Sequence, residues 1–239
     1  EFVCYGDTGM SVMEMSHRSN AFEDILNNAK ATLKELMNIP DNYEIIFVQG
    51  GGSTQFAMVP LNLFRRTKKA DFIKTGQWAK KAMEEAGRYG AVRAVASSED
   101  AIYSYIPKTK PEDFDPDADY AYITYNNTIY GTHYTEDKLP DTGNVPLVTD
   151  ISSNVLAEKI DVTRFGLLFA GAQKNIGPAG VTVVIIRRDL LGNALDITPT
   201  MLNYDIHVKN NSLYNTPPTY GIYFAGLVFQ WVKELGGVE

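Results

Sequence analysis

Lys174 has the residue type and the setting that imine chemistry requires. It lies in the segment FAGAQKNIGPAGVTVVIIR (169–187), between an apolar run and a long β-branched run, and glycines stand on both sides of it. A lysine amine attacks an aldehyde when the amine is partly desolvated and therefore neutral. A lone turn lysine is more often simply solvated, so this interpretation depends on which other residues accompany Lys174.

Asp150 and a glycine-rich turn would complement such a lysine. Asp150 lies at the end of the apolar segment PLVTDI (146–151), and ligand sites of open α/β sheets gather at the carboxyl ends of strands. An aspartate there can pair with a protonated ring nitrogen, as in pyridoxal phosphate enzymes, or it can cap a turn with Ser152 and Ser153. The turn QGGGSTQ (49–55) can direct backbone N–H groups toward a phosphate, and it lacks the Gly-Lys-Ser/Thr of a nucleotide P-loop.

Taken together, the three features predict a pyridoxal phosphate site. The glycine-rich turn would bind the phosphate, Asp150 the ring nitrogen, and Lys174 the aldehyde carbon. His133 and His207 have no motif context and are expected to be structural or exposed. No group of histidine, cysteine, aspartate and glutamate has metal-ligand spacing in the sequence, so no metal site is predicted.

Strand and helix patterns alternate along the chain, and these elements must position the candidate residues. Short apolar runs predict strands over 44–48, 71–76, 92–97, 120–125, 146–151, 166–171 and 180–187. Helical periodicity predicts helices over 20–39, 55–64, 77–90 and 221–235. Asn20 and Glu23 resemble a capping box at the start of the first helix, and Pro40 stops it. The interleaving predicts an α/β domain, a three-layer α/β/α fold with a mixed, mainly parallel sheet.

The connection that contains Lys174 is an exception to parallel pairing. Only a short, glycine-rich segment separates Ala170 from Val181, whereas a parallel crossover needs a dozen or more residues and usually a helix. The strands on either side are therefore predicted to be antiparallel neighbours, with Lys174 on the turn at the rim of the sheet.

Composition limits the classes of function. The 239 residues are 44% hydrophobic and 21% charged, with a net charge of -7 and a pI near 5.1, which argues against nucleic acid or an anionic membrane as partner. Cys4 is the single cysteine, no secretion signal is recognisable, and the apolar stretch 220–232 is too short to span a bilayer. We therefore expect a cytoplasmic protein. Because residue 1 is glutamate and the sequence stops at GGVE, we also expect a fragment of a longer protein.

Four segments resemble the phosphoserine aminotransferase family of fold-type-I pyridoxal phosphate enzymes. They are GDTGMSVMEMSHRS (6–19), QGGGSTQFAMVPLNL (49–63), FAGAQKNIGPAG (169–180) and NTPPTYGIY (215–223). The resemblance covers nearly the whole chain. It implies that residues 1–239 are the cofactor-binding large domain, that an N-terminal segment and a C-terminal small domain are missing, and that the protein forms a homodimer with shared active sites.

The resemblance also implies a role for individual residues around the cofactor ring. Lys174 matches the lysine that forms the Schiff base with the cofactor and later shuttles a proton, and Asp150 matches the partner of the pyridinium nitrogen. Trp78 matches the aromatic residue that stacks on the ring; taken alone, it could equally be a half-buried helix tryptophan. Thr128 matches a hydroxyl near the phenolic oxygen of the cofactor.

Other matched positions would bind phosphate or substrate. The positions that match phosphate-binding residues of the family are Gly52, Ser53 and Gln173. Asn215 and Thr216 match a pair that reaches the cofactor phosphate of the neighbouring subunit. Many relatives have arginine where Ser53 stands and glycine at the next position, so an additional cationic contact is in question here. His17 and Arg18 match the pair that binds the acidic substrate across the dimer interface; the alternative is capping and surface charge before the first helix.

The implied reaction moves an amino group from L-glutamate to 3-phosphohydroxypyruvate, giving O-phosphoserine and 2-oxoglutarate in serine biosynthesis. A phosphorylated four-carbon analogue on the route to pyridoxal phosphate, related to 4-phosphohydroxythreonine, is a further candidate substrate. Three alternatives remain open. They are another fold-type-I aminotransferase such as an alanine–glyoxylate enzyme, a cysteine desulfurase, for which Cys4 is poorly placed, and a catalytically poor domain that only binds cofactor or dimerises.

Overall fold

A seven-stranded sheet forms the centre of the computed structural model, which describes residues 1–238. The strands are β1 (Tyr43–Val48), β2 (Lys69–Lys74), β3 (Ala91–Ser97), β4 (Tyr120–Thr124), β5 (Asn126–Asn127), β6 (Thr132–His133), β7 (Leu147–Asp150), β8 (Leu167–Gly171) and β9 (Thr182–Arg187). The order across the large sheet is β1-β9-β8-β7-β4-β2-β3, and β5 and β6 form a separate two-stranded hairpin.

The sheet is mixed and mainly parallel, which confirms the predicted fold class. Strands β3, β2, β4, β7 and β8 pair in parallel, whereas β9 runs antiparallel to both β8 and β1. The antiparallel β8–β9 pair is the one predicted from the short connection, and Ala170 lies opposite Val183 in it. Lys174 is on the turn between these two strands, as predicted.

Helices cover both faces of the sheet. They are α1 (Asn20–Leu36), α2 (Gly51–Leu63), α3 (Gln77–Ala86), α4 (Tyr204–Lys209) and α5 (Thr219–Glu234). Successive residues of β1 point to opposite faces: Phe47 packs in the core that includes α1 and α5, and Ile46 packs in the core that includes α2 and α3. Two separate apolar cores therefore flank the sheet, as a three-layer arrangement requires.

Several predicted element boundaries were wrong. Helix α2 begins at Gly51, inside the glycine run, rather than after it. The N-cap of α1 is Ser19 rather than Asn20, because the Ser19 hydroxyl accepts the N–H of Phe22 at 3.2 Å. Helix α4 and the β5–β6 hairpin were not predicted, since each is too short to show a clear period. Among residues 1–238, no helix is both long and apolar enough to cross a membrane.

Candidate active site

The residues predicted to act together line a cleft at the carboxyl edge of the sheet. The strands β4, β7 and β8 end there, and the starts of α2 and α3 close the sides. The cleft measures about 80 Å³, smaller than an apolar cavity of about 310 Å³ beside α4, yet it contains the residues that were predicted to act together. Its lining consists of Gly52, Ser53, Phe56, Trp78, Thr124, Asn126, Thr128, Asp150, Ser152, Ser153, Gln173 and Lys174.

Lys174 reaches across the cleft from the β8–β9 turn. Its Nζ donates a hydrogen bond to Thr128 Oγ1 at 2.8 Å and lies 5.6 Å from the centroid of the Trp78 ring. A cation at this distance from an indole is attracted by the ring quadrupole. The lysine side chain is exposed in this chain, and the amine is therefore accessible to a carbonyl compound that enters the cleft.

Asp150 lies at the floor of the cleft and is buried, with 8% of its surface exposed. Burial raises the pKa of its carboxyl group, whereas hydrogen bonds from Ser152 and the positive charge of Lys174 lower it. Both hydrogen bonds from Ser152 go to Oδ1, at 2.9 Å from the N–H and 2.6 Å from Oγ. The other oxygen, Oδ2, lies 3.6 Å from the point that a Cβ on Gly52 would occupy. The structure shows the turn cap, and it also places the aspartate at the cleft; its pairing with a ring nitrogen stays a prediction.

The N-terminus of α2 forms an anion cradle beside Asp150. Gly50 and Gly51 have φ angles of +94° and +65°, conformations that glycine adopts without steric cost. The first backbone bond of the helix runs from the Thr54 N–H to the Gly50 carbonyl, so the N–H groups of the preceding turn lack a helical partner. These N–H groups and the helix dipole favour a phosphate. The cradle has Ser53 at its mouth and no cationic side chain from α2 itself.

Four of the predicted residues lie outside this cleft. His17 and Arg18 precede α1; Arg18 is exposed, and the Nε2 of His17 is buried without a partner among the described residues. Asn215 lines the larger cavity beside α4, and the Thr216 carbonyl accepts a hydrogen bond from the Gln49 side chain at 3.1 Å. Within a single chain, these residues do not meet Lys174.

The two histidines without motif context have structural or exposed positions. His133 is exposed on the β5–β6 hairpin. His207 is buried in α4, and its Nε2 lies 2.8 Å from the Met201 carbonyl oxygen. Neither lines the cleft around Lys174.

Sequence reasoning missed the contribution of Thr124 to the cleft. Its side chain is 2% exposed, and its Oγ1 has no partner among the residues that the structure describes. Thr124 is the register partner of Asp150 on the adjacent parallel strand. Comparing the last residues of neighbouring predicted strands would have found it, since parallel strands end at the same edge.

The residue set fits pyridoxal phosphate. A primary amine, a buried carboxylate with a free oxygen, an aromatic ring and a helix N-terminus correspond to the aldehyde, ring nitrogen, ring face and phosphate of that cofactor. The indole N–H of Trp78 and the hydroxyl of Thr124, which have no partner within residues 1–238, are further polar groups available to a bound molecule. Fold and site together resemble those of pyridoxal phosphate-dependent aminotransferases.

Comparison with known protein families shows to which aminotransferase family the chain belongs. The family model "Aminotransferase class-V" matches residues 5–239, and the chain belongs to this family. It is 55% identical over 239 residues to phosphoserine aminotransferase of Bacillus cereus (strain ATCC 10987 / NRS 248), a match that covers 100% of this chain and 66% of the relative. Phosphoserine aminotransferase of Lysinibacillus sphaericus (strain C3-41) is 53% identical over 238 residues, again with 100% of this chain and 65% of the relative covered.

Solved structures agree with these relatives. A phosphoserine aminotransferase studied for radiation damage of its Schiff base superposes with a TM-score of 0.94 at 44% identity, covering 100% of this chain and 66% of that one. The enzyme from Bacillus circulans subsp. alkalophilus gives 0.93 at 48% identity, covering 99% and 65%. The resemblance found in the sequence is confirmed, and the chain spans about two thirds of the length of the relatives it matches.

Proposed function

We propose that the protein to which this chain belongs is a pyridoxal phosphate-dependent phosphoserine aminotransferase. It transfers the amino group of L-glutamate to 3-phosphohydroxypyruvate and releases 2-oxoglutarate and O-phosphoserine, a step of serine biosynthesis. The observation that carries the proposal is the convergence of Lys174, Asp150 and Trp78 at one cleft, in a chain 55% identical to a phosphoserine aminotransferase.

Each side chain of the cleft has a defined task in this reaction. Bound pyridoxal phosphate supplies an electron sink for the negative charge that develops at the substrate Cα. Lys174 Nζ would hold the aldehyde carbon of the cofactor, and its amine would take up the proton at the substrate Cα. Asp150 Oδ2 would accept a hydrogen bond from the protonated ring nitrogen and so keep that proton in place. Trp78 would pack against the ring and exclude water from it.

The phosphate of the cofactor is held mainly by backbone groups. The N–H groups of Gly52 and Ser53 point from the start of α2, and Gln173 adds an amide from the β8–β9 turn. Because serine stands where many relatives have arginine, the phosphate charge is balanced by the helix N-terminus rather than by a guanidinium on α2. Thr128 Oγ1 accepts a hydrogen bond from Lys174 Nζ, and its hydroxyl would donate to the phenolic oxygen of the cofactor.

Two copies of the chain share each active site. Asn215 and Thr216 complete the phosphate site of the neighbouring subunit, and His17 with Arg18 binds the phosphorylated keto acid there. The positions of these residues outside their own cleft support this assignment. A net charge of -7 also means that a dianionic substrate must be captured by locally placed cations.

The chain is the large domain of the enzyme. Residues 1–239 supply the cofactor site, and the full-length protein adds an N-terminal segment and a C-terminal small domain, in keeping with the 66% of the relatives' length that is covered. The single cysteine supports a cytoplasmic location. The same phosphate recognition suits the phosphorylated four-carbon analogue, so the enzyme also contributes to pyridoxal phosphate synthesis.

Spectroscopy of the purified chain tests the cofactor assignment. Mixed with pyridoxal phosphate, the parental chain is expected to develop a visible absorption band that borohydride fixes to Lys174, because an imine to lysine absorbs at longer wavelength than the free aldehyde. Lys174→Ala should abolish the band. Lys159→Ala, which changes a lysine remote from the cleft, should retain it. Mapping of the reduced adduct to any other lysine would refute the assignment.

A second candidate function, cofactor binding without turnover, follows from the share of its relatives' length that the chain covers. Because the chain spans 66% of its relatives, the isolated domain could bind cofactor without turning over substrate. Measuring O-phosphoserine formation from glutamate and 3-phosphohydroxypyruvate, with this chain and with the full-length protein, separates the two. Turnover only in the full-length protein identifies the chain as a cofactor-binding module, and turnover in neither overturns the proposed reaction.

A further inference from the structure

Ser152 makes an unusual set of contacts directly below the cleft. Its backbone N–H and its Oγ both donate to Asp150 Oδ1, at 2.9 and 2.6 Å. Its Oγ in turn accepts the N–H of Gly171 at 2.9 Å. A serine hydroxyl has a single hydrogen, and since the Gly171 N–H occupies a lone pair, that hydrogen points to Asp150. With 7% of its surface exposed, Ser152 thus joins the end of β7 to the end of β8.

These contacts favour the ionised form of Asp150. Burial raises the pKa of the Asp150 carboxyl, and two donors on one oxygen oppose that shift because they bind the charged form more strongly. The titratable groups that face Asp150 are Lys174 on the β8–β9 turn and Tyr122 on β4. Lys174 is exposed and hydrogen-bonded to Thr128, and Tyr122 is a neutral phenol whose own pKa is raised, so Ser152 provides the direct stabilisation.

Ser152 also decides which carboxylate oxygen remains available. Both of its donors bind Oδ1, whereas Oδ2 accepts no hydrogen bond within the described part of the chain and lies on the side of Gly52. Rotation of the carboxylate would break two hydrogen bonds at once, one of them to a backbone N–H. The orientation of Asp150 is therefore fixed before any molecule enters the cleft.

We propose that Ser152 is a positioning residue of the active site: it holds the Asp150 carboxylate by one oxygen so that the other oxygen meets the ring nitrogen of pyridoxal phosphate. The assignment rests on the proposed function of the cleft. Ser152 itself does not touch the ring nitrogen and acts through Asp150.

The cofactor-free chain provides the first test. The carboxyl titration of Asp150 is followed by ¹³C NMR in the parental chain and in Ser152→Ala, Ser152→Thr and Thr149→Val. Ser152→Ala is expected to raise the pKa of Asp150, and Ser152→Thr to leave it near the parental position because the hydroxyl and N–H are kept. Thr149→Val is the matched control, since it removes a buried hydroxyl next to Asp150 that has no partner among residues 1–238.

Cofactor affinity provides the second test. Ser152→Ala is expected to weaken pyridoxal phosphate binding about tenfold, the effect of losing one hydrogen bond to a charged group. In an Asp150→Asn background the same substitution should have little further effect, because the two residues act as one unit. A structural defect at Gly171 would instead weaken binding equally in both backgrounds.

The outcomes separate this inference from the proposed function. An unchanged Asp150 titration in folded Ser152→Ala, or equal losses of affinity in the two backgrounds, overturns the role of Ser152. A raised pKa of Asp150 with coupled losses of affinity supports it. If the parental chain binds no pyridoxal phosphate, the proposed function fails, and the titration alone then decides whether Ser152 controls the charge of Asp150.

Discussion

At the scale of single residues, burial determines how each charged group can be used. Asp150 is buried and held by two hydrogen bonds, so its charge is fixed in place, whereas Lys174 is exposed and can move between partners. A proton-holding group benefits from the first environment and a nucleophile from the second. Lys30 illustrates a third case, a half-buried amine that donates to Asn211 Oδ1 at 2.6 Å and has no role in the cleft.

The pKa of Lys30 is lowered from 10.5 to about 8, because burial penalises the charged amine more than Glu44 favours it. At a pH between those two pKa values, the Lys30 amine is protonated in the unfolded chain and neutral in the folded chain. Unfolding therefore takes up a proton, and a rising pH makes unfolding less favourable. The free energy of unfolding should therefore rise with pH across this window. Across this window, we expect the free energy of unfolding of the parental chain to rise by about 2–3 kcal/mol relative to that of Lys30→Met.

Urea unfolding of both proteins at pH steps from below 8 to 10.5 measures this difference. Lys34→Met is the control, since Lys34 is on the same helix but pairs with the exposed Asp41. A parental curve that parallels Lys30→Met would show that the Lys30 amine keeps its proton when folded.

At the scale of elements, the proposed phosphate binding depends on the backbone conformation at the start of α2. Gly50 is the N-cap residue, with φ at +94°, and a Cβ there would lie 1.9 Å from Thr54 Oγ1. Gly51 has φ at +65° but open space around the position of a Cβ. The two glycines therefore separate steric overlap from backbone strain.

Gly50→Ala is expected to destabilise the chain by about 2–3 kcal/mol, because left-handed strain and overlap with Thr54 add. Gly51→Ala should cost about 1–2 kcal/mol, since it introduces the strain alone. Urea unfolding gives both values, and equilibrium titration with pyridoxal phosphate should show the weaker binding for Gly50→Ala. Equal destabilisation by the two substitutions would mean that the turn relaxes away from Thr54.

At the scale of the whole molecule, the proposal of a site shared between two subunits depends on where the predicted residues lie. The cleft contains the residues proposed to bind the cofactor, whereas His17, Arg18, Asn215 and Thr216 lie elsewhere on the same chain. Arg18 is exposed immediately before α1, where a guanidinium can bind phosphate oxygens in pairs. In the full-length dimer, Arg18→Ala should cost about 2–4 kcal/mol in kcat/KM for the phosphorylated keto acid and leave cofactor absorbance intact.

A mixed dimer of an Arg18→Ala subunit and a Lys174→Ala subunit tests which chain Arg18 serves. If Arg18 acts across the interface, one site has both defects and the other has none, so about half of the parental activity should remain. If Arg18 serves its own chain, each site has one defect and the activity should fall to about half that of the Arg18→Ala homodimer. The parental homodimer, and an Arg18→Ala homodimer that retains cofactor absorbance, provide the reference values.

Much of the fold and of the site follows from the sequence alone. The apolar periods gave the strands and the main helices, and the short connection after Ala170 gave the antiparallel β8–β9 pair with Lys174 on its turn. Asp150 could be placed at a strand end for the same reason. These features are local: a period, a connection length or a strand end is determined by neighbouring residues, and so a single sequence is enough to find them.

The tertiary structure alone decided the contacts that make the cleft specific. The hydroxyl of Ser152 bridges Asp150 and Gly171 because β7 and β8 pair in one register, with Asp150 opposite Phe169. Thr124 reaches the same floor because β4 lies on the other side of β7. A strand shifted by one residue would turn these side chains to the other face, and the amino-acid order within each strand would be unchanged. Register between strands distant in sequence is a property of the packed sheet, which is why these contacts emerged only with the fold.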